Sequence, residues 1–227
     1  MNGTKAVLFD LDGTLLDTLG DLTDATNYIL KKYGYVERSA KEVRSFLGSG
    51  AAHLIRSALP CAVEDSVFEK YLKDYVEYYR ENSKHKTAPY PGILALLDFL
   101  KEQGIKTAIV SNKPDAATRG LCAYYFDGLI DFSVGDRADI ERKPSAEPVA
   151  FAMKALRCDH AVFVGDSDVD VLTSKNAGLP CISVTWGFRD RDVLEACGSD
   201  CFADDAEELK AHILELLGVD GGNYASN

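Results

Sequence analysis

Lys5-Ala-Val-Leu-Phe-Asp10-Leu-Asp12-Gly-Thr-Leu15 is a nearly continuous apolar run that ends abruptly in two carboxylates two residues apart, followed by a Gly-Thr turn. A short run of this kind reads as a buried strand of a parallel sheet, and its period of two places Asp10 and Asp12 on the same side of the strand exit. In open parallel sheets ligands bind beyond that carboxyl edge. Two later stretches repeat the arrangement: Ser111-Asn-Lys follows an apolar run at 105–110, and Gly165-Asp166-Ser-Asp-Val-Asp170 follows one at 161–164. Polar clusters at three strand exits converge on one edge of the sheet.

Working outward, further strands read at 129–134 and 181–184, and helical patterns separate the strands. The segment 92–103 carries Ile93, Leu94, Leu96, Leu97 and Leu100 at helical spacing and stops at Gly104, a residue suited to a helix exit. A second helix reads at 148–156. Alternation of strands and helices predicts an α/β fold, a Rossmann-like doubly wound parallel sheet with helices on both faces. From Leu15 to Tyr90 no convincing strand is legible. Helical spacing appears at 21–33, 51–59 and 64–82, and Ser39-Ala-Lys-Glu42 forms a capping box that opens another helix. This stretch reads as an all-helical insertion with crossings near 15–19 and 84–90, so the expected organisation is a discontinuous core at 1–15 and 90–219, a helical domain at 16–89 and a flexible tail at 220–227.

With 227 residues the chain is long enough to bury a sizeable core. Its net charge of -11, without any Lys/Arg-rich run, argues against a nucleic-acid or anionic-membrane partner. A small anionic substrate must then be attracted locally. The N-terminus has no basic segment before an apolar core, and no apolar run reaches spanning length, so neither a signal peptide nor a membrane segment is expected. Cys61, Cys122, Cys158, Cys181, Cys197 and Cys201 lack the paired spacing of a zinc site or disulfide scaffold. A reduced, cytoplasmic protein is the economical expectation, as a monomer or homodimer.

The pattern Asp10-x-Asp12-Gly-Thr-Leu-Leu-Asp17-Thr resembles the first signature of the haloacid dehalogenase superfamily, specifically its phosphatases. Ser111, Lys143 in Arg-Lys-Pro-Ser, and Gly165-Asp166-x-x-x-Asp170 follow in the order that this resemblance requires, which covers 5–217. The resemblance implies a helical cap inserted after the first motif, a small phosphorylated metabolite as substrate and Mg2+ as cofactor. It implies Asp10 as the nucleophile forming an aspartyl phosphate, and Asp12 as the group that protonates the leaving oxygen and later deprotonates water. Mg2+ is then held by Asp10, the backbone carbonyl of Asp12 and Asp166, with Asp170 either orienting a metal water or binding directly; hard oxygen donors suit this ion. Ser111 donates to a phosphate oxygen, and Lys143 stabilises phosphoryl charge.

Charge counting agrees with a cation. Two ionised carboxylates about 4 Å apart repel by about 4 kcal/mol at an effective dielectric near about 20. Four of them reject phosphate unless Mg2+ and Lys143 neutralise the pocket.

Val43-Arg-Ser-Phe-Leu-Gly-Ser-Gly50 is similar to the cap sequence of phosphoglycolate phosphatases, as are Asp17-Thr-x-x-Asp21-Leu22, Ser111-Asn-Lys-Pro114 and Val184-Thr-Trp-Gly187. Substrate contacts are expected from Thr14, Ser111, Asn112 and Lys143 in the core, and from Arg44, Ser49 and Gly50 in the cap. Ser49 opens a helix whose first N–H groups face an anion, with His53 and Arg56 on its face and Arg44 as another cation for a substrate carboxylate. The alternatives are a beta-phosphoglucomutase-like transferase, a pyrophosphatase, a nucleotidase or a non-catalytic scaffold on the same fold. The mutase reading expects a histidine just beyond the hinge, where this chain has Gly20-Asp21-Leu22.

Overall fold

Apolar residues alternate between two faces of one central strand, which is why the sheet is covered on both sides. The computed structural model describes residues 3–219, so the tail expected at 220–227 lies outside the described residues. In chain order the elements are β1 (Lys5–Phe9), β2 (Leu16–Asp17), α1 (Leu19–Lys32), α2 (Ala40–Phe46), α3 (Gly50–Ala58), α4 (Asp65–Asn82), β3 (Ala88–Pro89), α5 (Ile93–Glu102) and β4 (Lys106–Pro114). They continue with α6 (Asp115–Tyr125), β5 (Phe132–Asp136), α7 (Glu147–Leu156), β6 (His160–Gly165), α8 (Asp168–Ala177), β7 (Cys181–Val184), α9 (Arg191–Ala196), β8 (Phe202–Ala203) and α10 (Ala206–Leu216).

Six strands form one parallel sheet in the order β5-β4-β1-β6-β7-β8. Val7 and Phe9 of β1 pack with α5, α6 and α10, while Ala6 and Leu8 face the opposite side against α7. Each large apolar side chain so buried contributes roughly 1.5–3 kcal/mol. The order changes direction at β1: the chain first winds outward to β4 and β5, then returns across β1 to β6. That switch opens a crevice at the strand exits.

The four helices α1 to α4 share a separate apolar cluster built on Leu22, Ile29, Leu30, Leu54, Ile55, Phe68 and Tyr75. The capping box at Ser39 and Glu42 is present. The expectation of no strand between Leu15 and Tyr90 needs a correction: β2 and β3 pair antiparallel at the two crossings, Leu16 against Pro89 and Asp17 against Ala88. Two-residue strands carry too little alternation to be read from sequence. β5 also begins three residues later than expected, because Leu129 closes a turn onto Phe126 and its carbonyl accepts the Thr107 hydroxyl.

Candidate active site

Asp10 follows β1 directly and is 6% exposed. Its Oδ1 accepts the Leu11 N–H at 2.7 Å and lies 3.0 Å from Lys143 Nζ. Lys143 also donates to Asp170 Oδ1 at 2.7 Å. The other oxygen of Asp170 accepts the Ser167 hydroxyl at 2.6 Å and the backbone N–H groups of Ser167 and Asp166 at 3.1 and 3.3 Å. Ser167 caps α8, so the helix start fixes this carboxylate. Asp166 accepts the Thr14 hydroxyl at 2.9 Å on Oδ1 and the Phe188 N–H at 2.7 Å on Oδ2. Gly13, at φ 84, passes so close to Asp166 that a Cβ there would collide with the carboxylate.

Oxygens of Asp10, Asp166 and Asp170 lie within 4.8 Å of one another. Burial pushes the Asp10 carboxyl up to about 6, with Asp170 and Asp12 adding to the rise and Lys143 opposing it. Asp166 is pushed well above the usual carboxylate range by burial first and then by Asp170 and Asp10. Burial alone would lower Lys143, but Asp10 and Asp170 outweigh it and hold the ammonium above its ordinary value. An ammonium at ion-pair distance normally lowers a carboxylate, so the net rise at Asp10 means that burial, joined by the charges of Asp170 and Asp12, outweighs Lys143.

β4 supplies the third cluster. Its register with β5 shifts between Val110 and Pro114, and an irregularity of this kind re-aims side chains at a strand end. As a result Ser111, Asn112 and Lys113 are all buried and all line one cavity of about 150 Å³, together with Asp10, Asp12 and Asp166. Asn112 donates to the carbonyls of Gly48 and Lys143 at 3.2 and 3.0 Å, while its buried Oδ1 has no partner among the described residues. Sequence reasoning assigned no role to Lys113. Its ammonium donates to both oxygens of Asp12 at 2.8 and 2.9 Å and to the Tyr79 hydroxyl at 2.8 Å. Spacing carries no signal for it: three consecutive residues, Ser111, Asn112 and Lys113, line the cavity, which strand alternation does not predict.

Four carboxylates, Asp10, Asp12, Asp166 and Asp170, therefore meet two ammonium groups, Lys113 and Lys143. Two negative charges remain, the complement of one divalent cation, and the donors are hard oxygens. The residues present fit Mg2+.

The cap-side expectations divide. Gly50 lines the cavity and is pressed against the Asn112 carbonyl at φ 83, where a Cβ would sit 3.0 Å from that oxygen. Ser49 occupies the N-cap of α3 without a side-chain cap bond, and its carbonyl faces Arg142 at 3.4 Å. Arg44 instead binds the Gly187 carbonyl at 3.0 Å and Asp190 at 2.9 Å. Arg56 lies over the Phe68 ring and pairs with Asp65, and His53 faces Ser57. Thr14 holds Asp166 rather than lining the cavity.

Comparison with known proteins follows the same pattern. Residues 7–184 match the family model described as haloacid dehalogenase-like hydrolase. The chain is 37% identical over 190 residues to the phosphoglycolate phosphatase of Rhodobacter capsulatus, covering 81% of this chain and 85% of that protein. It is 34% identical over 187 residues to the phosphoglycolate phosphatase of Aquifex aeolicus, with 81% and 86% covered. A solved structure of a candidate phosphoglycolate phosphatase from Lactobacillus delbrueckii subsp. bulgaricus superposes with a TM-score of 0.87 at 34% identity, covering 93% of this chain and 98% of that one. The acidic crevice at the switch point, the match over most of the sheet and these relatives agree: the chain belongs to the haloacid dehalogenase-like hydrolases.

Proposed function

We propose that this protein is a Mg2+-dependent phosphate monoester hydrolase that works through an aspartyl phosphate on Asp10, with 2-phosphoglycolate or a similar small phosphorylated metabolite as substrate. The observation that carries the reading is Asp10 itself. One of its oxygens is held by Leu11 N–H and Lys143, while Oδ2 accepts no hydrogen bond from the described residues and belongs to a side chain that lines the cavity. An immobilised carboxylate with one free oxygen is an oriented nucleophile. The names of the relatives support the phosphoglycolate assignment.

Asp10 attacks phosphorus, the bond to the ester oxygen breaks, and Asp12, carrying a proton taken from solvent, protonates the departing oxygen. Asp12 then removes a proton from water as that water attacks phosphorus, and the bond to Asp10 breaks to release phosphate. Ser111 and Asn112 meet the phosphoryl oxygens, and Lys143 supplies fixed positive charge beside Asp10. Mg2+, when bound by Asp10, Asp166 and the Asp12 carbonyl, supplies neutralisation of the phosphoryl charge. Both oxygens of Asp170 are already engaged, which supports an orienting role for it.

The helices α1 to α4, residues 16–89, form a cap over the core at 1–15 and 90–219 in this reading. Their separate apolar cluster and the paired crossings β2 and β3 support it. Among the described residues no helix is long and apolar enough to cross a membrane, and the six cysteines are unpaired, which fits a reducing, cytoplasmic setting.

The test is phosphate release from a panel of small phosphate esters, 2-phosphoglycolate included, with Mg2+ or EDTA. Wild type should show Mg2+-dependent release, and Asp10→Asn should retain its fold and lose turnover. Release by Asp10→Asn at the wild-type rate sinks the mechanism. Efficient turnover of other esters without 2-phosphoglycolate keeps the class and removes the substrate.

A further inference from the structure

The wall that the cap presents to the cavity is mostly apolar, formed by Leu22, Leu47, Leu54 and Tyr75, with Phe188 from the loop after β7 beside them. A phosphorylated acid brings a second anionic group into this half, and burying it without a partner is prohibitive. Arg44 and Arg56 are engaged elsewhere and do not line the cavity. Arg80 does line it, with a side chain 70% exposed beside Glu81. The remaining cation on the lining is Lys113, whose side chain is 3% exposed.

All three N–H bonds of that ammonium are in use, two on Asp12 and one on Tyr79, whose ring centroid lies 4.4 Å away. Lys113 therefore holds Asp12 by both oxygens, and neither is turned to a leaving group. A neutral substrate leaves this arrangement in place. A substrate carboxylate is chemically equivalent to that of Asp12 and can replace it on Lys113 with little net change in charge pairing.

We propose that Lys113 determines specificity: it takes the second anionic group of a small phosphorylated carboxylic acid, and the exchange frees the Asp12 side chain to turn to the ester oxygen. This rests on the phosphatase reading above. Tyr79, on the cap helix α4, keeps Lys113 at the cap side of the cavity during the exchange. Selectivity then arises because the same contact that binds the acid also releases the group its turnover requires, a difference between substrates expressed in kcat as well as KM.

The experiment compares kcat and KM for 2-phosphoglycolate and its neutral carboxamide in wild type, Lys113→Met and Lys113→Gln. Wild type should prefer the carboxylate by roughly 30- to 100-fold, the worth of one lost charge-assisted contact. In both variants kcat/KM for the carboxylate should fall by about that factor while kcat for the carboxamide rises, since nothing then holds Asp12. Equal losses on the two esters overturn the assignment and leave the phosphatase reading standing. The wild-type ratio needs no variant to fold, and a ratio near one overturns the assignment equally. Release from neither ester, with Mg2+ present, overturns the assignment, and the phosphatase reading then stands if other small phosphate esters are hydrolysed and falls if none is.

Discussion

Asp10 shows how a single residue couples burial, charge and pH. Its folded-state carboxyl titrates near about 6 against an ordinary 3.8, with burial the largest cause. A raised carboxyl favours folding in its protonated form, so its contribution to stability is complete below the ordinary value and is lost as pH rises through about 6. Mg2+ binds the ionised form, so its affinity should climb over that same window. The expected outcome is a larger Mg2+-induced rise in Tm at about pH 7.5 than at about pH 5.5, read by scanning fluorimetry. Equal rises would show that another group controls metal binding. Asp12→Ala tests a different part of the chemistry: hydrolysis of esters with poor leaving groups should drop by roughly 10²- to 10⁴-fold, and activated aryl esters should lose far less. Uniform losses in steady-state assays would remove Asp12 as the proton donor.

Among the elements, α1 carries the joint between the helical bundle and the sheet. Asp21 in its first turn is 2% exposed and accepts backbone N–H bonds from His85, Lys86 and Thr87 and the Thr87 hydroxyl. One carboxylate thus ties the start of α1 to the segment that follows α4, next to the β2–β3 pair. Removing it strands several donors at once, each costing about 1–3 kcal/mol when buried without a partner. Asp21→Ala should lower unfolding free energy by about 3 kcal/mol in denaturant titrations. A loss below about 1 kcal/mol would mean that water replaces the carboxylate.

Across the whole molecule, the loop after β7 joins the buried aspartate cluster to the helical bundle. The Phe188 N–H binds Asp166 while its ring belongs to the apolar cluster of α1 to α4. Arg189 reaches from this loop to the carbonyls of Arg44 and Leu47 at 3.3 and 2.6 Å, and Arg44 reaches back to Gly187 and Asp190. The two arginines clasp the bundle to the core beside the cavity, in contacts that must break if the two parts separate. Arg189→Ala should raise KM severalfold with a smaller change in kcat, because it weakens the clasp without touching Asp10 or Asp12. A drop in kcat at constant KM in the same assay would assign Arg189 to the chemical step. Phe188→Ala removes a ring only 5% exposed and should cost about 3–5 kcal/mol.

Local signals were strong enough to reveal β1, β6, β7 and most of β4, because strands buried on both faces are written as unbroken apolar runs. Asp10, Ser111 and Asp166 were legible for the same reason: each directly follows such a run, where chain direction alone sets its place at the sheet edge. Helical spacing and the Ser39 capping box similarly revealed helices α1 to α4. The two-residue strands β2, β3 and β8 carry no period to detect, and their pairing is a long-range event. Which cations face the cavity was also beyond the reach of spacing. Arg44 and Arg56 have the charge for an anion but found partners on other elements, whereas Lys113 entered the site through a register shift and a tyrosine far away in the chain. The position of each long strand along the chain follows from local chemistry, while strand order and the pairing of long, flexible charged side chains depend on what the fold brings together, the latter to within about 3 Å.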